Sequence, residues 1–199
     1  AVHSAVDLVA SFVALFSIRV AEEPADEEHP YGHEKAENVA AGAEAMLILV
    51  GAGIVAFEAI RRLGSGNELD YVGIGIAVIA VSATVNIIVS AYLSRSARRH
   101  ESPALEGDAA HLRADAWTSI AVLVGLILVE VTGEAAFDSI AALVVAVAIV
   151  ASGVRLLNRS TRVLMDEALP AEELDRVEAV IAEVRPPEMA GYHKLRGRQ

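Results

Sequence analysis

The stretch Tyr71–Leu93, YVGIGIAVIAVSATVNIIVSAYL, contains no charged side chain. Hydrocarbon offers a backbone no hydrogen-bond partner, whereas an α-helix satisfies its own amides, so an uncharged run longer than ~18 residues reads as a helix crossing a bilayer. Similar apolar segments lie on either side, and together they predict five helices at about 2–21, 36–62, 70–94, 104–131 and 136–158. Each segment is too long for a strand of a membrane barrel and lacks its strict alternation. The connections are short and polar. Arg61–Asp70 contains Gly-Ser-Gly-Asn, and Val131–Ala135 contains Thr-Gly-Glu, both of which favour turns. The predicted fold is an all-α integral membrane helix bundle over residues 1–162.

Composition narrows the chemistry. Cysteine is absent, so there is no disulfide framework and no thiolate metal site. A bound metal must then use His, Asp or Glu, which argues against copper(I) and points to zinc or another ion that accepts nitrogen and oxygen. The net charge of −11 argues against nucleic acid as a partner. Acidic residues gather at Glu22–Glu28 and Glu167–Glu183, where they raise the local concentration of cations.

Basic residues set the orientation. Lys35, Arg95, Arg98, Arg99, Arg155, Arg159 and Arg162 fall on one side of the bilayer if the first helix runs from outside to inside, with Arg61 and Arg62 as the main exceptions. The positive-inside bias makes that side cytoplasmic, together with the C-terminal tail. A chain starting outside in this way is expected to have at least one span before Ala1. After Arg162 the composition becomes that of a soluble segment. A helix is predicted from Pro170-Ala-Glu-Glu, with Leu174, Val177, Val180, Ile181 and Val184 on one face. Pro186–Pro187 ends it, and a short strand-like piece, Tyr192–Arg198, follows. Residues 163–199 are therefore expected to be the beginning of an α+β cytoplasmic domain, incomplete here.

Ionisable groups in membrane helices are costly, face the bundle interior and mark ion or proton paths. His3 and Asp7 stand four residues apart, on one helix face, and His111 and Asp115 repeat the pattern. Between antiparallel neighbours, two imidazoles and two carboxylates can converge as a tetrahedral zinc site. Buried His–Asp ion pairs without metal would explain one pair more easily than two of matching spacing. Ser11 and Ser119 continue these faces, and Ser82, Asn86 and Ser90 form a further stripe. Such stripes either line a hydrated path or join neighbouring helices. In the loop after the first segment, Asp26, His29 and His33 have the spacing for a second metal, or belong to a solvated acidic loop.

These pieces resemble the cation diffusion facilitators, the proton-coupled exporters of zinc and other divalent metals. The resemblance rests on His3-Ser4-x-x-Asp7, His29-Pro30-Tyr31-Gly32-His33-x-Lys35-Ala36-Glu37 and Ser102-Pro103-Ala104-Leu105. Asp108-x-x-His111-x-x-x-Asp115 and Leu164-Met165-Asp166-Glu167-Ala168-Leu169-Pro170 extend it over nearly the whole chain, in the family's order. It implies that the five helices are the second to sixth of six. His3, Asp7, His111 and Asp115 would form the transport site, and Asp26, His29 and His33 a loop site. His193 would be a ligand of the cytoplasmic domain. Lys35 and Asp166 would be a charged interlock near the axis of a homodimer. Glu34 departs from the family pattern, standing where Gly is common.

The expected function is secondary transport in the lipid bilayer: export of zinc, or of Cd2+, Co2+, Fe2+ or Mn2+, in exchange for protons. Metal needs neutral imidazole and ionised carboxylate, so protons and metal compete for the same groups. No phosphate-cradling Gly-rich loop occurs, in keeping with transport that uses no nucleotide. The alternative is a metal-responsive membrane scaffold or sensor that does not transport. An intramembrane metalloenzyme would need an open coordination position and a His-Glu-x-x-His motif, and the sequence has no such motif.

Overall fold

A computed structural model describes residues 2–65, 73–134, 136–184, 195 and 197, and at residues 2–8, 64–65 and 73–75 the backbone alone. The described residues form six helices: α1 (Val2–Ala21), α2 (Lys35–Ser65), α3 (Gly73–His100), α4 (Pro103–Thr132), α5 (Ala136–Leu164) and α6 (Ala171–Val184). Helices α2 to α5 are long and apolar enough to cross a membrane, and the apolar part of α1 described with side chains is Val9–Ala21. The all-α membrane bundle expected from the apolar runs is what forms.

The ends of these helices are set by capping rather than by hydropathy. Helix α3 runs on through Arg98 and Arg99 to His100, basic residues favoured in a last turn by the helix dipole. Glu101 then takes a left-handed φ of 53°, and Ser102 caps α4 by accepting the N–H of Leu105 at 3.3 Å, with Pro103 in the first turn. Gly133, at φ 73°, closes α4 by donating to the Val129 carbonyl at 2.8 Å.

Small residues let the helices approach closely. Ala41, Ala45, Ile48, Ala52, Ala110, Ile149 and Leu156 pack as one cluster from α2, α4 and α5. A Cβ at Gly153 of α5 would lie 3.0 Å from the Leu49 side chain, so this crossing depends on its absence. The outer surface is apolar. Phe12, Phe16, Ile54, Phe57, Ile88 and Val147 are all exposed, as lipid-facing side chains should be.

Arg61 and Arg62, the exceptions to the charge bias, are ion-paired. Glu58 contacts Arg61 Nε at 3.4 Å and Arg62 Nε at 3.3 Å, and Asp138 reaches Arg62 Nη1 at 3.4 Å. At the other end of the bundle, Arg159 pairs with Glu106 and Arg162 with Glu167. Helix α6 packs on none of the other five among the described residues, so its apolar face stays open. The N–H of Leu169 donates to the Gly197 carbonyl at 3.3 Å, and the Leu169 side chain packs against Gly197 as well.

Candidate metal centre

The loop between α1 and α2 winds three ligand-type side chains around one point. Asp26 begins it. Its Oδ1 accepts the N–H groups of Glu28 at 2.9 Å and His29 at 2.5 Å, and lies 3.2 Å from His29 Nδ1. His29-Pro30-Tyr31-Gly32 then makes a turn closed by Gly32 N–H to the His29 carbonyl at 3.0 Å. Gly32 sits at φ 84°, a conformation that suits glycine. The turn brings His33 back, its Nε2 lying 3.0 Å from His29 Nδ1 and 3.5 Å from Asp26 Oδ2.

These separations fit a small cation. Zinc bonds of about 2.0–2.1 Å in a tetrahedron put neighbouring donor atoms roughly 3.3 Å apart. Two separations lie close to that value, 3.0 Å between His33 Nε2 and His29 Nδ1 and 3.2 Å between His29 Nδ1 and Asp26 Oδ1, while His33 is nearest the other carboxylate oxygen, Oδ2, at 3.5 Å. Three ligand atoms leave one tetrahedral position for water or another group. The Asp26 carboxyl is held below the usual carboxylate range, chiefly by the His29 backbone N–H and also by the His29 ring. It is therefore an anion at neutral pH.

The second constellation lies inside the bundle. His111, two turns into α4, is buried, with Nε2 facing Asp115 Oδ2 at 3.7 Å. Its Nδ1 faces the other way, toward Glu44 Oε2 of α2 at 3.9 Å. Glu44 itself is only 2% exposed. Sequence reasoning missed it, although a single carboxylate between Glu37 and Glu58 in an otherwise uncharged run was a visible signal. His3 and Asp7 belong to α1, in the part described by backbone alone. His193 lies outside the described residues.

Neighbouring contacts fix how the helices meet here. The Ser11 hydroxyl donates to Asp108 Oδ1 at 3.3 Å, while Ala14 packs with Ala104 and Ala40. As α1 advances, α4 retreats, so the two are antiparallel. Glu37 of α2 receives the Ser102 hydroxyl and the Ala104 N–H, tying the start of α2 to the start of α4. Of the polar stripes, Ser11 and Ser90 join neighbouring helices, while Ser119 bonds within α4. Ser90 donates to the Ala109 carbonyl at 2.9 Å across α3 and α4, and Ser119 bonds back to the Asp115 carbonyl at 2.9 Å.

Lys35, the first residue of α2, reaches the far end of α5. Its Nζ donates to Asp166 Oδ1 at 2.8 Å and to the Leu164 carbonyl at 3.4 Å, completing the C-terminus of that helix. The pair joins two elements that are distant in sequence, next to the loop that carries His33.

Comparison with known proteins agrees with this architecture. The chain is 37% identical over 201 residues to an uncharacterized transporter of Synechocystis, covering 100% of the chain and 64% of that protein. It is 34% identical over 198 residues to the cation-efflux pump FieF of Serratia proteamaculans, covering 100% of the chain and 65% of the pump. The same figures hold for the cation-efflux pump FieF of Yersinia pestis. The chain therefore spans a little under two thirds of the length of these relatives. Residues 1–165 match the model of the cation efflux transmembrane domain, which takes in α1 to α5, the loop cluster and His111 with Asp115, and the chain belongs to that family of membrane transporters.

Proposed function

We propose that this protein exports a divalent cation, zinc foremost, from the cytoplasm in exchange for protons, through a site of His3, Asp7, His111 and Asp115 between α1 and α4. The observation that carries the reading is a His–Asp pair on α4, His111 buried and Asp115 half-buried, beside an antiparallel α1 whose register is fixed by Ser11–Asp108. Carried one and two turns further at about 1.5 Å per residue, that register brings backbone positions 7 and 3 level with 111 and 115. The chain's likeness to FieF cation-efflux pumps supports the same activity.

Proton coupling follows from the donor set. Each imidazole and carboxylate binds either metal or proton, so a proton-rich outer compartment discharges the metal and returns protons inward. Rocking of helices about a site inside the bilayer would alternate access. Asp26, His29 and His33 hold a second ion at the surface, and the gathering of their ligand atoms within 4.8 Å of one another supports this. Lys35 and Asp166 link the membrane bundle to a cytoplasmic tail in a homodimer, with His193 as a ligand of that tail.

Zinc uptake into inverted vesicles under an imposed proton gradient tests the proposal. Asp115→Ala should abolish uptake while leaving zinc binding at the loop intact. Uptake at the unaltered rate would reject the intramembrane site. Zinc binding with no transport by the unaltered protein would instead favour a sensor.

A further inference from the structure

Glu44 is the one ionisable residue of α2 between Glu37 and Glu58, and at 2% exposure it is among the most buried side chains of the bundle. A carboxylate taken out of water persists only where surrounding groups compensate it. Among the described residues one such group is His111, and the geometry is directional. One ring nitrogen of His111 points at Glu44 Oε2, 3.9 Å away, and the other points at Asp115 Oδ2, 3.7 Å away.

The approach that makes this contact is built into the backbone. Gly107 precedes His111 by one turn of α4. A Cβ there would lie 3.1 Å from Glu44 Cβ, 3.2 Å from Glu44 Cγ and 3.2 Å from the Ala41 backbone. Buried Ala41, Ala45 and Ala110 complete the surround. The chain thus leaves out a side chain at residue 107 and keeps its neighbours small, and a carboxylate is seated against the imidazole.

A histidine ligates metal through one nitrogen, and the partner of its other nitrogen sets the tautomer and the ring orientation. Resting on the assignment of His111 and Asp115 to the transport site, we propose that Glu44 is a positioning residue for metal binding. It accepts the Nδ1 proton of His111 and so presents the Nε2 lone pair toward Asp115 and the ion. The 3.9 Å separation is an ion-pair distance. Closing it by about 1 Å makes a charge-assisted hydrogen bond, the kind of tightening that occurs when a ligand arrives. Glu44 is no ligand in this arrangement, because it faces the nitrogen opposite the metal. It acts through His111.

The test is the zinc dependence of proton-driven uptake by the full-length transporter in proteoliposomes, with KM and kcat separated. Glu44→Leu, which suits an apolar surround, should raise KM about 10- to 100-fold, the usual cost of losing a ligand's supporting partner. Glu44→Gln keeps an acceptor oxygen and should restore KM to within a few-fold of the unaltered protein. If Glu44→Leu fails to assemble, Gly107→Ala displaces the Glu44 side chain while leaving every ionisable group in place, and it should raise KM with little change in kcat. An unaltered KM in Glu44→Leu, or in Gly107→Ala where that variant is needed, overturns the inference. Equal impairment of Glu44→Leu and Glu44→Gln also overturns it, since charge alone would then be at work. Asp115→Ala, run alongside, separates the two readings. If it is inactive, the transport site stands whatever Glu44 does; if it is active, both fail.

Discussion

The loop cluster and the intramembrane cluster use the same residue types and reach their geometry by opposite routes. Asp26, His29 and His33 lie within eight positions of one another, and a single glycine-closed turn gathers them. Their placement is local, and Asp26 stands half exposed in water. His111 and Asp115 are brought to Glu44 and α1 only by the packing of separate helices. Water reaches Asp26 and His29 of the first cluster, whose side chains are about half exposed, and only His33 is largely covered. In the second, low dielectric magnifies each loss. Local geometry gives a cluster that tolerates change, and long-range geometry gives one that does not.

The contrast can be tested most strongly with one histidine from each cluster. His111→Ala should lower zinc transport by more than the ~10- to 100-fold that a supporting residue costs, because a ligand is removed outright. His33→Ala should remove one bound zinc per chain, measured by equilibrium dialysis, yet keep uptake within about tenfold of the unaltered protein. If the two substitutions had similar effects on uptake, the contrast would fail.

A smaller effect concerns pH. The Asp26 pKa is depressed, so its carboxylate is ionised above that lowered value and becomes neutral only on stronger acidification than usual. Asp26→Asn should weaken loop binding and move zinc release to higher pH, as followed by titration with a zinc indicator, because a proton competes more easily for a weaker site. An unmoved midpoint would show that Asp26 holds no metal. The smallest effect belongs to Lys35 and Asp166, whose side chains are 37% and 49% exposed. Discounted for screening, a double-mutant cycle on thermal unfolding should give a coupling of about 0–1 kcal/mol. A much larger value would mean that water is excluded from this pair in the assembled protein.

The sequence was legible where one physical rule dominates. Apolar runs announced the membrane helices, since hydrocarbon tolerates little else. The spacing of Asp26, His29 and His33 flagged the loop cluster, which the turn through Pro30 and Gly32 gathers. Helix ends were harder to read. Apolarity stops near Leu93 and Asn158, but the hydrogen-bond ladder continues to His100 and Leu164, where left-handed residues and caps interrupt it. Glu44 escaped notice for another reason. Its nearest acidic neighbours on α2, Glu37 and Glu58, lie two and four turns away, and its relation to His111 exists only because Gly107 admits α2 so close to α4.

The bond from Ser102 to Glu37 has a bearing on motion. It clamps the first turns of α2 and α4 together, and the Gly107–Ala41 contact continues the clamp one turn deeper. Two rods joined at successive points resist shear and behave as a single plate. Among the described residues the seam between that plate and α1 carries one side-chain hydrogen bond, Ser11 to Asp108, and the outer face of α1 is lined with Val9, Phe12 and Phe16. A sliding displacement along this seam would change the level of positions 3 and 7 against 111 and 115 and leave the seat of Glu44 undisturbed.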